Sequence, residues 1–77
     1  MTWNYRIVES CSNDGSHFQA IHEVYYDDGG NPVSVTFNPV DIVWEMGEST
    51  HLILKQIEEA FNKPILYMDD FKSKVPF

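Results

Sequence analysis

Cys11, His17 and His22 carry the side chains in the first third of the chain that most readily bind a metal or act as nucleophiles. Thiolate and imidazole are ligands that zinc prefers. His17 and His22 are five positions apart, however, so in an extended strand they point to opposite faces. Cys11 has no basic neighbour in the sequence that would activate it as a nucleophile. The sequence therefore predicts neither a zinc site nor a Cys–His pair.

Asp27, Asp28 and Asn31 offer oxygen ligands for a hard cation. An EF-hand loop spreads such ligands over about twelve residues and ends in a glutamate, whereas this run has the length of a turn. The sequence also lacks a G-x-S-x-G motif, and Gly29-Gly30 is not followed by the helix and lysine of a phosphate loop. We therefore predict no catalytic, metal-binding or cofactor-binding residue, and a protein that is not an enzyme.

The stretch Phe18–Asn38 is predicted to form a β-hairpin around which the rest of the chain is built. Its turn, DDGGNP, combines residues that tolerate positive φ with a proline that cannot donate to a central ladder. Alternation in the first arm assigns five residues to the core face: Phe18, Ala20, His22, Val24 and Tyr26. In that position His22 has two interpretations, as a satisfied structural histidine or as a functional one.

Trp3–Ser10 is predicted to be the first strand of an up-down-up meander, joined to the hairpin by the turn CSNDGS. Its two faces carry different residues, with Trp3, Tyr5 and Ile7 on one side and Asn4, Arg6 and Val8 on the other. With the first set in the core, Arg6 shares the outer face with Glu23 and can pair with it.

Ser49 is predicted to cap a helix that ends near Asn62, because Pro64 forbids its continuation. Residues at three- and four-residue spacing give it one apolar stripe: Ile53, Leu54, Ile57, Ala60 and Phe61. The run Ile65–Tyr67 either adds a short strand or docks beside the helix. The predicted fold class is α+β: a three- to four-stranded antiparallel sheet in the order β-β-β-α, with or without a short final β, and one helix packed on one face.

Residues 1–71 are predicted to form a single domain, and residues 72–77 a flexible C-terminal tail. Within the domain, Pro39–Gly47 is too apolar for an ordinary loop. Asp41–Met46 makes up most of this run. The segment Pro39–Gly47 is either a crossing segment or short strand that closes the core between sheet and helix, or part of it, Trp44 foremost, is exposed as a contact patch.

The composition favours a folded, acidic protein and argues against several classes. The 77 residues are 43% hydrophobic, which is too apolar for a disordered chain despite a net charge of −7. Five basic residues against twelve acidic ones argue against direct nucleic-acid binding. A single cysteine excludes an intrachain disulfide, and a polar N-terminus without a long apolar run leads us to expect a cytoplasmic protein with no membrane segment.

Four stretches carry a resemblance to a family of small uncharacterised bacterial proteins: Ala20–Val40, Gly47–Ser49, Glu58–Leu66 and Asp69–Phe71. The family pattern is an IHEVYYD…G.P…NPV hairpin, a helix initiated by GES, and a KP-hydrophobic segment. The resemblance covers most of the chain but implies no activity. The chain departs from the pattern at Asp41–Met46, where the family is shorter, and in the additional Lys72–Phe77.

Asp27-Asp28-Gly29 and Gly47-Glu48-Ser49 also resemble elements of HicB-type antitoxins. In those small domains an antiparallel sheet with an acidic Asp/Gly turn leads through a Gly-Glu/Asp-Ser/Thr element into one helix. The Pro-Gly loop that usually joins the two elements is replaced here by Asn38-Pro39-Val40. This second resemblance implies an inhibitor of a toxin-like partner.

The function predicted from these observations is a small non-enzymatic module that binds a protein partner or forms a homodimer. The predicted partner surface consists of Val8, Ile21 and Tyr25 on the sheet face that the helix leaves open, together with Trp44. The alternative is an antitoxin- or phage-type inhibitor whose −7 charge blocks a basic nucleic-acid-processing protein. Neither function requires a cofactor.

Overall fold

A computed structural model of the chain describes residues 2–41 and 50–75. These residues form five strands, one α-helix and one 3₁₀ turn. In chain order the elements are β1 (Thr2–Cys11), β2 (His17–Tyr26), β3 (Pro32–Thr36), α1 (Thr50–Phe61), β4 (Leu66–Tyr67), the 3₁₀ turn (Met68–Asp70) and β5 (Ser73–Val75).

The turn between β1 and β2 is held by the side chain of Asp14. Its Oδ1 accepts hydrogen bonds from the Ser16 backbone N–H at 2.9 Å and from the Ser12 hydroxyl at 2.7 Å. Gly15, with φ of +87°, supplies the left-handed position that the reversal needs. Hydrogen bonds from the Ser16 hydroxyl and backbone, and from Ser12, lower the pKa of Asp14 to about 2. The hydrogen bonds of this turn therefore favour the ionised form of the exposed Asp14 carboxylate.

The turn between β2 and β3 is built in the same way around Asp27. Its Oδ1 accepts the backbone N–H of Gly29 at 3.0 Å and of Asn31 at 2.9 Å. The bond from Asn31 is the main cause of a lowered pKa at Asp27. The predicted hairpin is confirmed, and its acidic turn uses Asp27 to satisfy backbone donors.

The strands form one five-stranded mixed sheet in the order β4-β1-β2-β3-β5. The central β1-β2-β3 meander is antiparallel, whereas β4 runs parallel to β1 and β5 runs parallel to β3. The sheet curls into a half-barrel. The chain is α+β, but the predicted purely antiparallel sheet of three or four strands is wrong. The two parallel strands have two and three residues, too few to produce a readable alternation.

β5 lies within the segment for which the sequence predicts a flexible tail. Ser73 pairs with Ser34 and Val75 with Thr36, and the Phe37 N–H donates to the Val75 carbonyl at 2.7 Å. The sheet therefore extends through Val75.

The register of β1 against β2 reverses the predicted faces of β1. Arg6 lies opposite His22, so Arg6 and Val8 share the face of His22 and Val24. Tyr5 lies opposite Glu23, and the predicted pairing of Arg6 with Glu23 on an outer face is wrong. Both faces of β1 carry apolar residues, and a shift of one residue exchanges the two faces completely.

The core lies on the concave side of the curled sheet. Val8, Val24 and Val35 are fully buried there, one from each strand of the meander. Phe71, from the short connection between β4 and β5, is buried against them, and Tyr26, Leu66 and Met68 pack around the cluster. The connection thus crosses the concave face and closes it with one aromatic ring.

The helix packs chiefly against β1 and contributes none of the described residues of this core cluster. Ala60 is buried and Ile53 and Ile57 are partly buried, but Leu54 and Phe61 are each 64% exposed. The predicted five-residue stripe is therefore too wide. The predicted cap Ser49 and most of the Pro39–Gly47 segment lie outside the described residues. Within the described ranges no helix is long and apolar enough to cross a membrane.

Replacing Phe71 by alanine is expected to lower the free energy of unfolding by about 3–5 kcal/mol, the usual cost of removing a buried phenylalanine. Phe37→Ala, on an exposed ring, is the matched control and should change it by about 0.5 kcal/mol or less. Urea unfolding followed by tryptophan fluorescence measures both. Equal effects of the two substitutions would contradict the closing role of Phe71.

Candidate functional site

Two polar side chains, Arg6 and His22, lie inside the apolar concave face. They are directly opposite each other on β1 and β2, and both are buried. Buried polar groups are costly unless they are hydrogen-bonded. Their partners therefore indicate what these two residues do.

Arg6 ties three parts of the fold together. Its Nη1 donates to the Tyr26 hydroxyl at 2.9 Å, and its Nη2 donates to the Pro64 carbonyl at 2.7 Å. The Tyr26 hydroxyl in turn donates to Asn4 Oδ1 at 2.7 Å. These bonds link β1, β2 and the segment that follows the helix. Arg6 is therefore largely used as a structural clamp.

His22 is held by β3 through only one of its ring nitrogens. Nδ1 lies 2.9 Å from the Thr36 carbonyl oxygen and 3.3 Å from the Thr36 hydroxyl. A carbonyl can only accept, so Nδ1 carries the hydrogen. In the neutral ring Nε2 is then an acceptor, and among the described residues this buried atom has no hydrogen-bond partner.

Burial also determines the charge of this histidine. Desolvation lowers the pKa of His22 from its ordinary value of 6.5, and the hydrogen bond to the Thr36 backbone opposes the shift in part. The ring is therefore neutral at pH 7. A neutral imidazole with one nitrogen anchored by a carbonyl presents a fixed acceptor at the other nitrogen.

His22 lines a cleft of about 450 Å³, which we call the end cleft. The ends of β1, β2 and β3 and the β4–β5 connection surround it. Two aromatic rings among its lining residues, Phe18 and Phe37, are also strongly exposed. The lining residues are Ser10, Cys11, Ser12, Asn13, Phe18, His22, Phe37, Asn38, Pro39, Met68, Asp69 and Lys74.

The residues predicted as a partner surface are not brought together. Val8 is fully buried in the concave core, so its assignment to that surface is wrong. Ile21 and Tyr25 lie on the opposite face and are partly buried, and the Tyr25 hydroxyl donates to Glu23 at 2.8 Å. Trp44 lies outside the described residues.

The residues considered first for metal chemistry do not assemble into a metal site, although Cys11 lies opposite His17 in the register of β1 and β2 and lines the end cleft with His22. His17 is exposed, with Nδ1 3.5 Å from a carboxylate oxygen of Glu9, and Cys11 is an exposed free thiol. Within the described ranges, no group of three His, Cys, Asp or Glu side chains is placed to hold a metal ion.

Sequence reasoning identified His22 but missed the residues that define its site. Thr36, which orients the ring, carries no sequence signal, because it acts through its backbone carbonyl. Phe37, Met68 and Lys74 reach the cleft only through the curl of the sheet and the crossing of the β4–β5 connection. One sequence signal for the cleft is the position of Phe18 and Phe37, which lie at the outer ends of the two hairpin arms.

Comparison of the chain with models of protein families, with curated proteins and with solved structures finds no match. Both resemblances described above therefore stay predictions, and the site is interpreted from its geometry.

Acidification is expected to destabilise the fold through His22. Because its pKa is lower in the folded state, the unfolded chain binds the proton more readily, and stability falls as the pH drops below 6.5. The loss should level off once the folded-state pKa is passed. Urea unfolding at pH 7.5 and 5.5 should show a decrease in the wild type that His22→Gln lacks.

His51→Gln is the control for this prediction, since His51 is exposed and should leave the pH dependence unchanged. The window also lies above the titration of Asp14 and Asp27, whose pKa values are both lowered. A wild-type stability that stays flat between the two pH values would refute the assignment.

Proposed function

We propose that the protein is a non-enzymatic interaction module that binds another protein chain through the exposed flank of α1. A second copy of the chain is the first partner to test. The helix flank consists of Leu54 and Phe61, with Lys55 and Glu58 beside them. The proposal rests on how much apolar surface the described residues leave in contact with water.

The observation that supports this proposal is that many large apolar side chains are exposed while few apolar side chains are buried among the described residues. Among the described residues, the buried apolar side chains are those of Val8, Val24, Val35, Ala60 and Phe71. The larger apolar side chains left exposed are Trp3, Phe18, Phe37, Leu52, Leu54, Phe61, Ile65 and Tyr67. Burial of such surface is worth about 25 cal/mol per Å², so contact with a partner is favourable.

Leu54 and Phe61 are members of this exposed set that share one side of α1. They are seven residues apart, two turns of helix, and so project from the same side of α1. Both are 64% exposed. Leucine and phenylalanine two turns apart, with charged residues beside them, match the pattern by which an amphipathic helix contacts a partner.

The sheet edges are less suited to binding than the helix flank. The outer strands β4 and β5 contain two and three residues. Short edge strands offer few backbone groups for pairing with an added strand. The short edge strands therefore favour a partner that contacts the side chains of the helix. A partner that adds a strand to the sheet would need a longer and flatter edge.

Leu54→Glu is expected to abolish self-association, since it replaces one of the two apolar side chains of the helix flank by a charged one. Leu52→Glu is the matched control, because Leu52 is 56% exposed but lies about 200° away around the helix. Light scattering over a concentration series measures the mass of each variant. A wild-type chain that remains a monomer at high concentration would exclude the second copy as partner.

The second candidate, an acidic inhibitor of a basic nucleic-acid-processing protein, has one structural observation in its favour. Arg6, one of only five basic residues, is buried, so the surface is more acidic than the composition indicates. The acidic pairs Asp27-Asp28, Glu58-Glu59 and Asp69-Asp70 are all exposed. Such a surface attracts a basic partner over long range.

Salt separates the two candidates. A complex held by surface charge should dissociate as the Debye length shrinks to about 3 Å near 1 M salt, whereas one held by the helix flank should persist. Proteins captured from a cell lysate by the tagged chain, washed at low and high salt, give the readout. A basic protein that is released from the tagged chain at high salt, but is still captured by the Leu54→Glu variant at low salt, would favour the inhibitor.

A further inference from the structure

We propose that the end cleft is a binding site for a small aromatic or heteroaromatic molecule that carries an N–H or O–H donor. The donor would bond to Nε2 of His22, and the ring would lie with Phe18 and Phe37. This site is separate from the helix flank and does not depend on the proposed protein interaction.

The size and lining of the cleft match a small-molecule site. Its volume of about 450 Å³ falls within the range of about 300–1,000 Å³ in which small ligands are bound. Phe18, Phe37, Pro39 and Met68 give it apolar walls, and a few polar side chains stand among them. Aromatic side chains favour offset or edge-on contact with a second ring, which favours an aromatic ligand.

The requirement for a donor comes from His22. The ring is 1% exposed, and its Nδ1 hydrogen is committed to the Thr36 carbonyl. Nε2 is left as a buried acceptor with no hydrogen-bond partner among the described residues. An unsatisfied buried acceptor costs about 1–3 kcal/mol, which a ligand donor would recover on binding.

Entry of the donor requires a local adjustment, because Nε2 is shielded from solvent. Met68 is one of the lining residues of the cleft and also packs against the core cluster. Its unbranched side chain can change rotamer at low cost. Met68 is therefore the residue expected to move when the donor reaches the imidazole.

Phenol and toluene form a matched pair of probes for this site. They have nearly the same shape, but only phenol has a donor. On titration into ¹⁵N-labelled protein, phenol should shift the Nε2 resonance of His22 in a saturable manner, and toluene should bind at least fivefold more weakly. His22→Phe should reduce phenol affinity at least fivefold, to the level of toluene.

A pair of exposed phenylalanines provides a test that does not depend on the stability of a His22 variant. Phe37, 62% exposed in the cleft, and Phe61, 64% exposed on the helix, differ mainly in location. Phe37→Ala should weaken phenol binding at least threefold, and Phe61→Ala should not change it. The absence of a saturable His22 shift, equal binding of toluene, or equal effects of the two alanine variants would overturn the proposal.

Discussion

The short connection between β4 and β5 sets the shape of the molecule. These strands lie on opposite edges of the five-stranded sheet, yet only residues 68–72 join them. In a flat sheet the edges would be about 19 Å apart, at about 4.8 Å per strand. Six steps of chain, three of them at the rise of about 2 Å of a 3₁₀ turn, reach only about 16 Å. The connection must also clear a layer of side chains, so the sheet has to curl.

The curl explains why polar groups occur inside the core. Residues on the concave face are drawn together, and the register of β1 and β2 places Arg6 and His22 among them. Arg6 uses its buried position to join the end of the helix segment to β1 and β2. Apolar residues would fill the same space without directional bonds, and would leave the position of Pro64 unspecified. His22 is anchored at one nitrogen only, and its Nε2, like Nε of Arg6, has no hydrogen-bond partner among the described residues.

The sequence predicted the local elements and missed the long-range ones. The hairpin turn at Asp27 and the helix that ends before Pro64 follow from local chemistry, whereas the sequence leaves the run at Leu66 open between a short strand and docking beside the helix. The two faces of β1 do not follow from local chemistry. Trp3, Tyr5 and Ile7 together look better suited to a core than the face that carries Arg6 and Val8. The register is decided by pairing with β2, and the place of Ser73–Val75 by pairing with β3, partners far along the chain. The end cleft depends on both pairings, so the sequence draws attention to His22 but does not predict the cleft around it.

Because the core is small, binding at the exposed surfaces can contribute strongly to the stability of the fold. A domain of this length buries only about 60% of the surface of its unfolded chain, and its stability is correspondingly marginal. A molecule that binds only the folded state adds RT ln(1 + [L]/Kd), about 2.7 kcal/mol at a hundredfold excess over Kd. That is a large fraction of the 5–15 kcal/mol typical of a folded domain. Occupation of the helix flank or of the end cleft would therefore stabilise the fold as much as a major core residue does.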